Sequence, residues 1–143
     1  MPNEDLKSAY LETVYSVFVG EQQHDIKINR PAGDAISQLL NKHALKTGYI
    51  MTAWNPRSQA LSESENNIRN SRLKTELLEL NCTVYDAVGT GSDPGWTPEA
   101  SFFIVGLDAT QAEQLALKYE QNAYVKIEAD QPATLVFSAF WKE

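Results

Sequence analysis

The order of helix and strand patterns in residues 49–127 constrains the fold of this chain more than any other feature. Short apolar and β-branched stretches indicate strands, and apolar residues at intervals of three and four indicate helices. In chain order the predicted elements are a strand at 49–54, a helix at 62–81, strands at 83–88 and 101–105, a helix at 108–119 and a strand at 123–127. Ser62 with Glu65 forms a capping box at the start of the first helix, and Asp108 can cap the second.

This β-α-β-β-α-β order is the split pattern of ferredoxin-like domains, so we predict an α+β fold with a ferredoxin-like sheet. Right-handed crossovers make the first and second strands parallel and place the third strand antiparallel between them. The stretch at residues 101–105 is apolar, which favours a central position in the sheet.

Two extra helices are predicted before this core, and one added strand is predicted after it. Apolar residues at helical spacing indicate a first helix that ends near Gly20, namely Leu6, Tyr10, Val14, Val17 and Phe18. A short edge strand is expected at residues 25–29, and a second helix is expected to begin with Asp34 as its cap. The chain is expected to be one domain with a helical N-terminal extension at 1–47, a core at 48–128 and a C-terminal strand at 129–143.

An acidic composition limits the partners and cofactors that the chain is expected to bind. The formal net charge is −7, from 19 acidic and 12 basic residues, and this charge repels nucleic-acid phosphates. No apolar run approaches the ~20 residues of a membrane span, and no signal peptide is recognisable. Neither a nucleic acid nor a membrane is therefore predicted as a partner, and the expected location is cytoplasmic. One cysteine and two histidines at unrelated spacings predict neither a metal site nor a cofactor.

The predicted topology brings three connections to one edge of the sheet, at residues 55–61, 89–100 and 120–122. Seven side chains there are candidate ligand-binding residues, and we call them the polar edge: Asn55, Ser58, Asn66, Arg69, Glu99, Gln121 and Asn122. Asn66 and Arg69 turn inward next to the positive N-terminus of their helix, an arrangement that favours negative charge. The sequence therefore predicts a binding module for a small anionic or nucleotide-like ligand.

Three alternatives remain open at this stage. The polar edge could be structural, with Arg69 paired to Asp93 or Glu99 and with Asn66 bonded to loop carbonyls. The protein could instead be a protein–protein interaction or regulatory protein without a small-molecule site, which binds a partner or a second copy of itself through a sheet edge or its N-terminal helices. Enzymatic activity is uncertain and catalytic residues are unassigned, because no nucleophile is evident and no apolar pocket is visible that would raise the pKa of Asp93 or Glu99.

Several short motifs resemble the signature of a known family. They are Thr-Ala-Trp-Asn-Pro at residues 52–56 with Ser58, the pairs Glu65-Asn66 and Arg69-Asn70, the stretch from Glu99 to Val105-Gly106-Leu107, and the turn Gln121-Asn122-Ala123. Together they are similar to domain of unknown function 3293, a bacterial family, over roughly residues 48–125. Ala100 and Glu120 depart from the family pattern, in which proline and glycine are expected. The resemblance supports the boundaries of the core and the choice of edge, and it implies no activity, cofactor or partner.

Overall fold

The computed structural model of the protein describes residues 2–56, 59–92 and 97–141, with side chains from residue 6 onward. The helices in these ranges are α1 Pro2–Glu12, α2 Asp34–Lys42, α3 Glu63–Glu79 and α4 Ala109–Lys118. The strands are β1 Val14–Val19, β2 Gln22–Lys27, β3 Thr47–Met51, β4 Thr83–Thr90, β5 Glu99–Val105, β6 Ala123–Glu128 and β7 Thr134–Phe137. The predicted α+β class is confirmed. None of these four helices is both long and apolar enough to cross a bilayer.

The seven strands form one antiparallel sheet in the order β2-β1-β4-β5-β3-β6-β7. β5 occupies the centre and lies between β3 and β4, with Val105 opposite both Gly48 and Thr83. The predicted neighbours of this strand are therefore confirmed. Gly48 permits the close contact between β3 and β5, because an added Cβ there would lie 2.6 Å from the ring of Phe103.

The two edge strands of the sheet approach each other, so that the sheet curls. Asn29, which follows β2, donates its backbone N–H to the carbonyl of Ala133 at 2.8 Å. The N–H of Ala133, which precedes β7, donates in turn to the carbonyl of Arg30 at 2.9 Å. These bonds link the end of β2 to the start of β7 and satisfy backbone groups that an open edge would leave to water.

Side chains on the two faces of the sheet pack into two separate apolar cores. One face is covered by α3 and α4, whose Leu77 and Leu115 belong to the same buried cluster as Ile104 of β5. The other face is covered by α2, whose Leu40 belongs to a second cluster with Phe103 of β5. Phe103 and Ile104 are adjacent and both fully buried, because successive residues of a strand point to opposite faces of a sheet. The central strand is thus buried on both sides.

The predicted first helix is wrong beyond residue 12. α1 ends at Glu12, and the residues that follow form β1, which pairs with β2 and with β4. The stretch 14–19 is rich in valine and aromatic residues, which favour strands. Gly20 begins a two-residue hairpin loop with φ 61°, the conformation that a type II′ turn requires at its first position. The N-terminal extension is therefore only partly helical. The predicted edge strand at 25–29 is present as β2, which begins three residues earlier and ends two residues earlier.

The two core helices begin where the capping residues predict. Ser62 precedes α3, and its Oγ accepts a hydrogen bond from the N–H of Glu65 at 3.1 Å. Asp108 and Gln111 form the complete capping box of α4. The prediction for α2 is wrong in detail, because Asp34 is its first helical residue and the preceding glycine makes no side-chain cap.

Candidate functional site

Two buried asparagines on α3 hold the chain that leaves β3. The Oδ1 of Asn66 accepts from the backbone N–H of Asn55 at 2.8 Å, and its Nδ2 donates to the Oδ1 of Asn55 at 2.8 Å. Asn70 accepts from the N–H of Ala53 at 2.8 Å and donates to the carbonyl of Ala100 at 2.9 Å. Because residues 53–55 have no strand partner, these amides replace the missing backbone bonds.

Arg69 lies one turn along the same helix and joins two further backbone segments. Its Nε donates to the carbonyl of Ala53 at 2.8 Å, and its Nη2 donates to the carbonyl of Tyr119 at 2.5 Å. The guanidinium also lies 5.7 Å from the centre of the Tyr119 ring. Arg69 therefore ties the end of β3 to the end of α4. No ion pair joins it to Glu99 among the described residues, and Asp93 lies outside them.

The turn after α4 completes this arrangement. Gln121 is buried, and its Nε2 donates to the carbonyls of Trp54 and Tyr119 at 3.2 Å each. Ser138, which follows β7, donates its hydroxyl to the carbonyl of Gln121 at 2.6 Å and its backbone N–H to the carbonyl of Asn122 at 2.9 Å. Residues that are far apart in the sequence are thus held at one end of the sheet, beside α3.

A cavity opens in front of this hydrogen-bonded layer. The centre of a water molecule can occupy a volume of about 70 Å³ within it, which is room for roughly five waters. Three polar-edge residues line it, namely Asn55, Glu99 and Gln121. Tyr10 of α1 and Tyr15 of β1 add aromatic walls. The remaining lining residues lie in or next to the strands: Thr13, Ile50, Met51, Thr52, Gly89, Ser101, Ala123, Tyr124, Val125 and Leu135.

Glu99 is the ionisable group whose environment is most unusual. It is half-buried at the start of β5, and desolvation raises the pKa of its carboxyl from 4.5 to about 7. A hydrogen bond from the side chain of Asn55 opposes this shift. Because the Oδ1 of Asn55 already accepts from Asn66 and from the N–H of Leu61 at 3.0 Å, its amide nitrogen is left to face Glu99. The pocket that raises this pKa was not visible in the sequence.

Burial also keeps the phenols of Tyr15 and Tyr124 in their neutral form. Desolvation is the main cause that raises the pKa of Tyr15 and of Tyr124 far above the neutral range. The hydroxyl of Tyr124 donates to Oε1 of Glu113 at 3.1 Å. Both phenols are therefore neutral at physiological pH. Among the described residues, no three His, Cys, Asp or Glu side chains come together as a metal site requires.

Five of the seven polar-edge residues thus separate into two groups. Asn55, Glu99 and Gln121 line the cavity, whereas Asn66 and Arg69 lie behind it and bond to the chain. Asn122 is half-buried beside the cavity and does not line it, and Ser58 lies outside the described residues. The sequence analysis missed Tyr10, Tyr15 and Ser101 as lining residues. The β-branched and aromatic composition of residues 14–19 was the signal that could have placed Tyr15 on a strand.

No curated protein and no solved structure matches the chain significantly. The family described as "Protein of unknown function (DUF3293)" matches residues 51–124, more than half of the chain. The matched stretch contains α3 and α4 and the three polar-edge residues that line the cavity, Asn55, Glu99 and Gln121. The chain therefore belongs to the DUF3293 family.

Proposed function

We propose that the protein is a binding module that holds a small polar ligand in the cavity lined by Asn55, Glu99 and Gln121. One observation carries this proposal: three polar residues from separate segments of the chain line one cavity. The buried amides and the guanidinium behind them fix the surrounding backbone. Convergent polar groups in a partly apolar, preformed pocket are the usual form of a small-molecule site.

The size and charge of the cavity restrict its ligand. The cavity has room for roughly five waters, which favours a ligand much smaller than a nucleotide. Glu99, the one acidic group among the described lining residues, opposes an anion unless it is protonated. The N-terminus of α3 offers little compensation, because Glu63 and Glu65 lie in its first turn and Ser62 caps it. A small ligand with hydrogen-bond donors is therefore favoured over the anionic or nucleotide-like ligand predicted from the sequence.

A ferredoxin-like unit is the finer fold assignment that we propose for β3-α3-β4-β5-α4-β6. Its support is the order of the four strands within the sheet, β4-β5-β3-β6, with every neighbouring pair antiparallel. In this assignment β1 and β2 extend the sheet at one edge and β7 extends it at the other.

A ligand screen with a blocked-cavity control tests the proposed function. Small cations, neutral amides and carboxylates are added to ¹⁵N-labelled protein, and shifts of the backbone resonances of residues 99–101 and 121–125 are followed. A bound compound should shift these resonances in the parent and have little effect in Ala123→Leu, which fills the cavity from β6. If no compound distinguishes the two proteins, the cavity is not a binding site. A protein partner then becomes the better hypothesis, and the edge strand β2 is where to look for it.

A further inference from the structure

We propose that the cavity binds a small organic cation, an amine or quaternary ammonium compound of roughly five non-hydrogen atoms, with the carboxylate of Glu99 as its counter-ion. This inference rests on the proposed function and names the ligand class of the same site.

The charge of the cavity is the first argument. Glu99 is the sole charged side chain among the described lining residues, and no lysine, arginine or histidine is among them. Its polar neighbours in the lining are neutral amides, hydroxyls and phenols. A half-buried carboxylate with only neutral partners is costly to keep ionised. A cationic ligand supplies the missing charge, whereas a neutral ligand or an anion does not.

The walls of the cavity are the second argument. Tyr10 of α1 and Tyr15 of β1 line it from two elements. Tyr10 is itself held by edge-on contacts with Phe137 and Trp141, at ring-centre distances of 6.5 and 6.2 Å. Aromatic rings beside an anionic group are the usual surroundings of a bound ammonium, because ring faces attract cations and do so more strongly where water is excluded.

The orientation of Glu99 is the third argument. Asn55, whose side chain bonds to the carboxyl, has a left-handed backbone with φ 45° and is held there by Asn66 and by the N–H of Leu61. Asparagine tolerates this conformation better than most residues, since its side chain bonds to nearby backbone. The carboxylate is thus held in place before a ligand arrives, which lowers the entropic cost of binding.

This ligand class predicts a particular dependence on pH. The titratable groups that line the cavity with Glu99 on the same face of the described sheet are Tyr10 and Tyr15, and the lining residues of β3, β4 and β7 are neutral. Tyr124 points to the other face, where its hydroxyl bonds to Glu113. A cation binds the ionised carboxylate, so binding displaces a proton from Glu99, whose pKa is about 7. Affinity should therefore rise by about 30-fold between pH 5.5 and 8.5, as the ionised fraction increases from about 3% to about 97%.

Titration with methylammonium and tetramethylammonium tests the inference, because both carry their full charge at pH 5.5 and 8.5. Resonance shifts of the full chain give the dissociation constant at each pH. Glu99→Gln should reduce affinity at pH 8.5 at least tenfold and abolish its pH dependence. Asp86→Asn is the matched control, since Asp86 is exposed on β4 outside the cavity lining, and it should bind like the parent.

Three results would overturn the inference. The first is equal affinity of Glu99→Gln and the parent at pH 8.5, and the second is affinity that falls as pH rises. The third is a gain of affinity in Arg57→Gln, which would show that a protein cation already compensates Glu99; Arg57 lies outside the described residues.

The same experiment separates this inference from the proposed function. If acetamide or acetate binds the parent and Ala123→Leu prevents it, while neither cation binds, the ligand class is wrong and the proposed function stands. If Ala123→Leu changes nothing for any compound, both are wrong. Gly89→Ala is a second blocking variant in case Ala123→Leu does not fold. Its added Cβ would lie 3.5 Å from the Tyr15 ring, an ordinary contact distance, and would narrow the cavity.

Discussion

The polar side chains at this end of the sheet, namely polar-edge residues together with Asn70, form two layers that differ in how completely their polar groups are paired. In the back layer, Asn66, Arg69 and Asn70 bond to the chain around β3 and to the carbonyls of Ala100 and Tyr119. In the front layer, the carboxyl of Glu99 shares a cavity only with neutral groups among the described lining residues. The back layer has the pairing of a structural network, whereas the front layer has a charge that folding alone leaves uncompensated.

This difference shows how polar residues of one edge can be assigned different roles. A helix N-terminus with an inward arginine suggests anion binding, but here the guanidinium donates to two backbone carbonyls. Among the described residues, the carboxyl of Glu99 in front of it has a side-chain hydrogen bond from Asn55 and no charged partner. Substitutions in the back layer should therefore change the free energy of unfolding, and substitutions in the front layer should change titration and ligand binding. Four substitutions test this difference between the layers.

The largest expected effect is that of Asn66→Ala. The buried amide of Asn66 bonds to both the backbone N–H and the side chain of Asn55, and its removal leaves these groups without partners. We expect the free energy of unfolding to fall by about 2–3 kcal/mol. Urea denaturation measures it, with Asn67→Ala as the control, because Asn67 is the exposed neighbour on the same helix. Equal stability of the two variants would contradict the structural role of the back layer.

Arg69→Ala should have the next largest effect. It removes two bonds to the carbonyls of Ala53 and Tyr119 and should lower the free energy of unfolding by about 2 kcal/mol without any ligand present. Arg72→Ala, an exposed arginine on α3, should change it by less than about 0.5 kcal/mol. The opposite pattern, an Arg69→Ala protein as stable as the parent that loses an anionic ligand, would restore the anion site predicted from the sequence.

Glu99→Gln should stabilise the protein at pH 8. The folded protein keeps the proton of Glu99 up to a pKa of about 7 instead of 4.5, so it binds more protons than the unfolded chain between these values. Stability therefore falls as pH rises through this window. Glutamine removes that loss, and we expect a gain of about 1.5 kcal/mol at pH 8 after screening by solvent, with almost none at pH 4. Asp86→Asn should show no such difference between the two pH values in thermal denaturation.

Gly89→Ala should have the smallest effect on stability. The new Cβ meets Tyr15 and Thr13 at 3.5 and 3.6 Å, so we expect a change of less than about 0.5 kcal/mol. Because Gly89 lines the cavity, the affinity for tetramethylammonium should nevertheless fall severalfold. A large loss of stability would show that the space beside Gly89 is needed by the fold and does not belong to a binding site.

Local signals were sufficient to predict the α+β class, the starts of two helices and the position of one strand. The caps at Ser62 and Asp108 predicted the starts of α3 and α4, and the apolar stretch of β5 predicted its central position. β1 was missed because the spacing of its apolar residues coincides with a helical repeat. Its pairing with β4, in which Val17 lies opposite Ala87, depends on residues about seventy positions away.

The site was predicted in part for the same reason. The helical repeat correctly turned Asn66 toward the core, but the carbonyl that Arg69 reaches on Tyr119 lies fifty residues away and has no local signal. The cavity that raises the pKa of Glu99 needs the walls that α1 and β1 supply. With β1 predicted as helix, that enclosure could not be foreseen.

Measurement of the pKa of Glu99 tests most directly whether this cavity holds a carboxylate without a compensating cation. The side-chain carboxyl ¹³C resonance of Glu99 can be followed from pH 3 to pH 9 in ligand-free protein, with assignment by its loss in Glu99→Gln. We expect a midpoint of about 7 that moves lower when tetramethylammonium is added. A midpoint near 4.5 would show that water or a cation of the protein already compensates the charge, and it would contradict the account.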